Sequence, residues 1–188
     1  MKFYTSDLHL NHSSMLKFEP DNRPFFNVDD MNEALIDNWN AKVKPGDEVY
    51  ILGDFCFDNQ GHKVNQFLRR LNGQKFLVKG NHDSFLKAKQ FDPSLFVWIK
   101  DYAEVKDILD GKEVRVILFH YPIAVWNAKH HGSYHLFGHI HSNRSEPGNP
   151  HHPLDFDLGD HAFNVGVDVR DLEPKTLQEL VDSGWRGY

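Results

Sequence analysis

The sequence has a single cysteine, Cys56, and no apolar run approaching the ~20 residues that a membrane span requires. One thiol excludes a disulfide framework and any cysteine-rich zinc module, and it points to a reducing, cytoplasmic compartment. Basic residues are also scarce: 21 Lys and Arg stand against 27 Asp and Glu, a net charge of −6. A binder of long nucleic acid needs clustered Lys and Arg, so that class is disfavoured. The opening stretch MKFYTSDLHL meets acid and histidine too early for a signal peptide. What remains is an ordinary soluble composition, 40% hydrophobic and 26% charged, over a length of 188 residues that suits one domain. Histidine is the exception, with 13 residues. Abundant imidazole and carboxylate without thiol is a donor set for metal ions.

Residues 2–6 read as a short strand that stops at an acid. Met31, Leu35, Ile36, Trp39 and Val43 form one helical stripe across residues 29–43, with Asp29 or Asp30 as its cap. Val49–Leu52 is a compact strand-type run, Val64, Phe67, Leu68 and Leu71 repeat at helical spacing, and Phe76–Val78 is the next strand. Strand, helix, strand, helix, strand signals an α/β layered fold. Asp110-Gly111 then joins residues 102–109 and 112–119 as a hairpin. Further strands are expected at Leu136-Phe137 and Phe163–Val169, a final helix at 175–183, and a long polar loop at 142–162.

Each strand ends in a polar cluster: Ser6-Asp7-Leu8-His9, Gly53-Asp54, Gly80-Asn81-His82-Asp83, Phe119-His120, and Gly138-His139-Ile140-His141. In open α/β sheets, ligands bind just beyond the carboxyl ends of strands. Five strand ends therefore offer Asp, Asn and several His to one edge. Gly53, Gly80 and Gly138 let the backbone turn sharply and bring these side chains close.

These five blocks, in this order along the whole chain, resemble the calcineurin-like metallophosphoesterases. The short length, the Phe119-His120-Tyr121-Pro122 block and Trp126-Asn127 look most like the small bacterial and phage branch. The resemblance implies a four-layer α/β sandwich of two mixed sheets flanked by helices, and a pair of divalent ions, Mn first, with Fe, Zn, Ni or Co as alternatives. Asp54 is then the bridging ligand. Asp7, His9 and His141 complete the first ion, and Asn81, His120 and His139 the second. A hydroxide shared by the ions attacks phosphorus, while His82 protonates the leaving group or stabilises the phosphoryl oxygens. The implied activity is phosphoester hydrolysis, with a small phosphodiester or nucleotide favoured. A phosphomonoesterase of unknown small substrate and a non-catalytic metal-binding scaffold are the alternatives.

The sequence departs from the protein-phosphatase branch after Asp54. Phe57 stands where that branch has an Asp, Asp58 falls one residue late, and no Arg follows. Asp83 and Asp58 are left as acids to orient His82. Asn81, Arg23 and Trp126 are expected substrate contacts: Arg23 as a phosphate clamp, Trp126 as a pocket floor, with Phe25 and Phe26 as further stacking faces. The bland readings are a buried hydrophobic role for Cys56, a solvated strand-end Lys79, a loop or substrate-side His12, and a surface tract at His130, His131 and His135. His151, His152 and His161, with Asp155, Asp157 and Asp160, read as a polar lid rather than another metal site.

Overall fold

The computed structural model describes residues 1–142 and 158–188. The apolar runs of the first half pair side by side as β1 (Lys2–Thr5), β2 (Glu48–Ile51), β3 (Gln74–Val78) and β4 (Trp98–Lys100), in that order. Registers such as Phe3 opposite Val49 and Ile51 opposite Leu77 are parallel throughout. The second sheet contains β5 (Ala103–Leu109), β6 (Lys112–Leu118), β7 (Tyr134–Phe137) and β8 (Ala162–Asn164). There the β5–β6 hairpin is antiparallel and the other pairs are parallel. The first sheet is thus parallel where a mixed one was expected, because its first three strands follow one another through helical crossovers. Its only antiparallel element among the described residues is a Tyr4–Lys175 bridge on the outer edge of β1.

The alternation of side chains separates two cores. Phe3, Val49, Ile51 and Leu77 face α2 (Val28–Lys42) and α3 (Gly61–Arg70), packing on Met31, Leu35, Trp39, Val64 and Leu68. Tyr4, Tyr50, Leu52, Phe76 and Val78 face the other way, onto Val116, Leu118, Leu136 and Phe163 of the second sheet. A strand buried on both faces reads as a continuous apolar run, which is why Val49–Leu52 shows no polar alternation. A short helix, α1 (Met15–Phe18), precedes α2, and α4 (Leu177–Asp182) adds Leu177 and Leu180 to the inter-sheet core.

Local chemistry sets the boundaries. The cap of α2 is Asn27, whose side chain accepts from Asp30 N at 2.9 Å, rather than either acid of the first turn. Thr176 and Glu179 form a reciprocal capping box on α4. The expected strand Phe163–Val169 stops at Asn164, whose Oδ1 accepts from Gly166 N at 2.8 Å and turns the chain. Gly166 then bridges to Ser6 beyond β1, and Val167–Val169 form a 3-10 turn at the same edge as the polar clusters. Of the loop expected at 142–162, residues 143–157 lie outside the described residues, including His151, His152, Asp155 and Asp157. No helix among the described residues is long and apolar enough to cross a membrane.

Candidate metal centre

The loops after β1 and β2 continue to pair past the strands: Asp7 N donates to Gly53 O at 3.0 Å, His9 N to Asp54 O at 2.9 Å, and Leu10 N to Phe55 O at 3.1 Å. They do so in an unusual backbone conformation. Asp7, His9, Asp54, His139 and His141 all have φ between 48° and 71°, the left-handed region. Each such non-glycine residue costs on the order of 1–3 kcal/mol, and such strain concentrates at functional sites. The glycines make room. A Cβ on Gly80 would lie 2.2 Å from Asp54 Oδ1, and one on Gly138 would lie 2.3 Å from Asp7 Oδ2. Only Gly53, at φ +94°, is needed for its backbone angle as well.

Two candidate ligand clusters meet at the strand ends, and His141 also lies within 4.8 Å of Glu19 and Asp168 as a third group. Asp7, His9 and His141 each offer an atom within 4.8 Å of the others, and so do Asp54, His120 and His139. Asp54 joins them. Its Oδ1 accepts from His82 N at 2.8 Å, while Oδ2 lies 3.6 Å from His9 Nε2 and 3.5 Å from His120 Nε2. Asn81 belongs to the second cluster, with Oδ1 2.9 Å from His120 Nε2. Divalent ions fit these residues. His9 Nε2 is buried with no hydrogen-bond partner, a state that costs roughly 1–3 kcal/mol unless something meets it. His120 Nδ1 lies 2.7 Å from Leu52 O and His141 Nδ1 2.7 Å from Asp168 Oδ2, which turns Nε2 of each ring toward the clusters.

Charge follows from these surroundings. Burial, reinforced by the nearby His141 and Arg23 cations, pushes His9 down to about 2 and keeps it neutral. Burial also lowers His141, but the Asp168 and Asp7 carboxylates outweigh it and raise it to about 9. For Asp168 burial works against the charge, yet Arg23 and His141 hold it at about 2. Asp54 is raised, chiefly by burial.

His82 stands exposed at the mouth, its ring 5.5 Å from that of His9 and 5.7 Å from that of Phe57. Neither acid left open by the sequence orients it. Asp83 accepts from the amides of Gly80 (2.7 Å), Phe55 (2.9 Å) and Asp54 (3.1 Å), which ties the loops after β2 and β3 together. Asp58 accepts from Asn11 at 2.6 Å and from Gln60 N at 2.7 Å.

Two expected substrate contacts are corrected. Arg23 is 1% exposed, and its guanidinium is committed to Asp168 and to the carbonyls of Asp7 and Leu8, so it cannot clamp a substrate phosphate. Trp126 is a core residue on the outer face of the second sheet, packed with Ile117, Phe137 and Ile140, and its indole donates to Ser133. Phe25 packs against the first core, and Phe26 is exposed. Of the remaining histidines, His135 is buried between Ile117 O and Ile123 N, His161 stacks on Tyr134, and His130 and His131 are exposed. Lys79 pairs with Asp101, and burial raises the Cys56 thiol. A groove of about 820 Å³ at the opposite pole, beside Met1, Phe3 and Ile108, is lined by none of the clustered imidazoles.

Sequence reasoning missed two neighbours of the centre, Asp168 and Tyr121. Asp168 was concealed inside an apparent strand. Tyr121, whose ring lies 4.6 Å from that of His139, adjoined a motif without standing out from it. His12, read as a loop or substrate-side residue, stacks face to face on Phe57, with centroids 3.9 Å apart and planes at 11°.

Residues 3–115 match the family model described as calcineurin-like phosphoesterase. The chain is 30% identical over 180 residues to the uncharacterized protein MJ1445 of Methanocaldococcus jannaschii, covering 95% of this chain and 88% of that one. In fold it is similar to the crystal structure of the protein of unknown function AQ665 from Aquifex aeolicus. There the TM-score is 0.67 at 24% identity, across 97% of this chain and 98% of the other.

Proposed function

Because the chain belongs to the calcineurin-like phosphoesterase family, we propose that it is a dinuclear metal-dependent hydrolase of small phosphodiesters or nucleotides, acting as one domain over residues 1–188. Metal-dependent hydrolysis of phosphate esters is the family's general chemistry. The observation that carries the dinuclear reading is Asp54 Oδ2, equidistant within 0.1 Å from the imidazoles of both clusters. Asp7, His9, Asp54 and His141 are assigned to one ion, and Asp54, Asn81, His120 and His139 to the other, with Mn favoured. Ions bound there supply positive charge to the phosphoryl oxygens and bring the pKa of a water toward neutrality.

The chain's own groups do the rest. Asp54 is held by one oxygen so that the other stays aimed between the clusters. His82, exposed and without a hydrogen-bonded carboxylate among the described residues, meets the leaving oxygen and delivers a proton to it. Asn81 turns its Oδ1 to the centre and keeps its amide nitrogen for a phosphoryl oxygen. The substrate preference is supported by Phe57, 47% exposed, which with His12 presents flat rings beside His82 where a nucleobase or aryl group can stack.

The test is a panel of nucleotides, small diesters, monoesters and phosphoserine or phosphothreonine peptides, assayed with Mn, Ni, Zn, Co and Mg. Turnover of small diesters or nucleotides with Mn is expected, with little on the peptides. A preference for monoesters would remove the diester reading, and metal binding without any turnover would leave the scaffold.

A further inference from the structure

We propose that Arg23 and Asp168 form a buried clamp that positions the Asp7–His9–His141 half of the centre, so that ion affinity there depends on two residues that are not themselves ligands. The inference rests on the metal occupancy proposed above, not on which ester is cleaved. Arg23 lies between α1 and α2, and Asp168 lies in the 3-10 turn after β8; both side chains have no solvent exposure. Arg23 Nε donates to Asp168 Oδ1 at 2.5 Å and Nη2 to Oδ2 at 3.2 Å, a two-pronged pairing that fixes the plane of the carboxylate. Asp168 Oδ2 in turn receives His141 Nδ1 at 2.7 Å. The other prongs of the guanidinium reach the backbone on the far side of the cluster, Nη2 to Asp7 O at 2.6 Å and Nη1 to Leu8 O at 2.8 Å.

One cation therefore sets both arms of the cluster. It holds the strained Asp7–His9 turn through two carbonyls, and it holds the His141 ring through a carboxylate. The backbone around His141 is tied as well: Asn164 Nδ2 donates to His141 O at 2.8 Å, and Ser142 Oγ donates to Glu19 at 2.6 Å. These ties place the residue, but among the described residues only Asp168 selects which ring nitrogen faces the ions. The other half of the centre is built differently. His120 is set by a backbone carbonyl, and the Asp54 loop by amides on Asp83. Loss of the clamp should accordingly be felt on one side.

Removing one partner alone leaves a buried uncompensated charge, which is strongly destabilising, so the informative variant replaces both with apolar residues of similar size, Arg23→Met with Asp168→Leu. Mn titration calorimetry would be run on wild type, this double variant, His141→Ala and the combination, with thermal unfolding of each metal-free protein as the folding control. The double variant is expected to unfold cooperatively and to lose about 10- to 100-fold in affinity for one binding event, as removal of an outer-sphere partner does. The other event should persist, and adding His141→Ala should cost the double variant less than it costs the wild type. A folded double variant with the wild-type titration, an equal loss of both events, or losses that add to those of His141→Ala would overturn the clamp. If the double variant does not fold, Arg23→Lys, which keeps the buried charge but loses the two-pronged fork, enters the same cycle with the same criteria. Wild-type protein that takes up one ion sensitive to His141→Ala would sink the dinuclear reading while the cycle still decides the clamp; uptake insensitive to His141→Ala would overturn the clamp as well.

Discussion

Asp54 has two oxygens with separate duties, and the separation explains why no neighbour can replace it. Oδ1 is held by His82 N, and Oδ2 faces His9 and His120. Asp54→Asn keeps the shape but exchanges an anionic oxygen for an amide at the one atom common to both clusters. It should reduce metal content from two ions to one, and lower kcat by more than the ~10–100-fold typical of losing an outer partner; metal analysis alongside kinetics checks both. His82 is the opposite case, a ring that touches the mouth rather than the clusters. His82→Ala should retain full metal content while kcat falls roughly 10²–10⁴-fold. The loss should be smaller for nitrophenyl esters than for alkyl esters, because a good leaving group needs little protonation; equal losses would assign His82 to charge stabilisation instead. Trp126 belongs to neither case, being 6% exposed among Ile117, Phe137 and Ile140 on the outer face of the second sheet. Trp126→Ala should cost about 3–5 kcal/mol in denaturant-measured stability, with KM unchanged at temperatures where the variant is folded.

Strand ends are the working elements of this molecule. A β-strand delivers its last residue to a fixed edge of the sheet, and a left-handed residue two or three positions beyond it re-aims the chain. The same device recurs after β1, β2 and β7, at Asp7, Asp54 and His139. It succeeds only where the facing backbone comes close, which is what Gly80 and Gly138 permit. Gly80→Ala should therefore displace the Asp54 carboxylate, lowering both Tm and Mn affinity, since its Cβ would meet Oδ1 at 2.2 Å and Asp54 N at 2.6 Å. Gly46→Ala is the matched control: nothing lies within 4 Å of its Cβ and its φ is not in the left-handed range. That variant should leave both quantities at wild-type values.

At the scale of the whole molecule, the two sheets bring together candidate ligands from positions 7 to 141, so an ion bound there would link segments that also meet at Ser6–Gly166, in the inter-sheet core and through the Arg23–Asp168 pair. Ligands that bind only the folded chain stabilise it by RT ln(1 + [L]/Kd), about 2.7 kcal/mol for one site at a hundredfold excess over Kd. Stripping the metal with a chelator should lower Tm measurably, and added Mn should restore it in proportion to the logarithm of its concentration. A Tm indifferent to chelator and to Mn would mean that the clusters hold no ion in solution.

The sequence by itself determined the alternation of strands and helices in the first half, the Asp110-Gly111 hairpin and the polar blocks at strand ends from which the two candidate clusters are built. These features are local: apolar periodicity, turn chemistry, and short polar blocks at strand ends. Tertiary structure alone decided what surrounds them. Arg23 reads as a phosphate clamp until Asp168, 145 positions away, is seen to receive it. Asp168 reads as part of a strand until Asn164 turns the chain beneath β1. The stretch Trp98–Lys100 becomes a strand because β3 offers it a free edge, and Trp126 becomes core because the outer face of the second sheet needs covering. Each of these depends on pairing between residues distant in the chain, where neither periodicity nor spacing carries a signal.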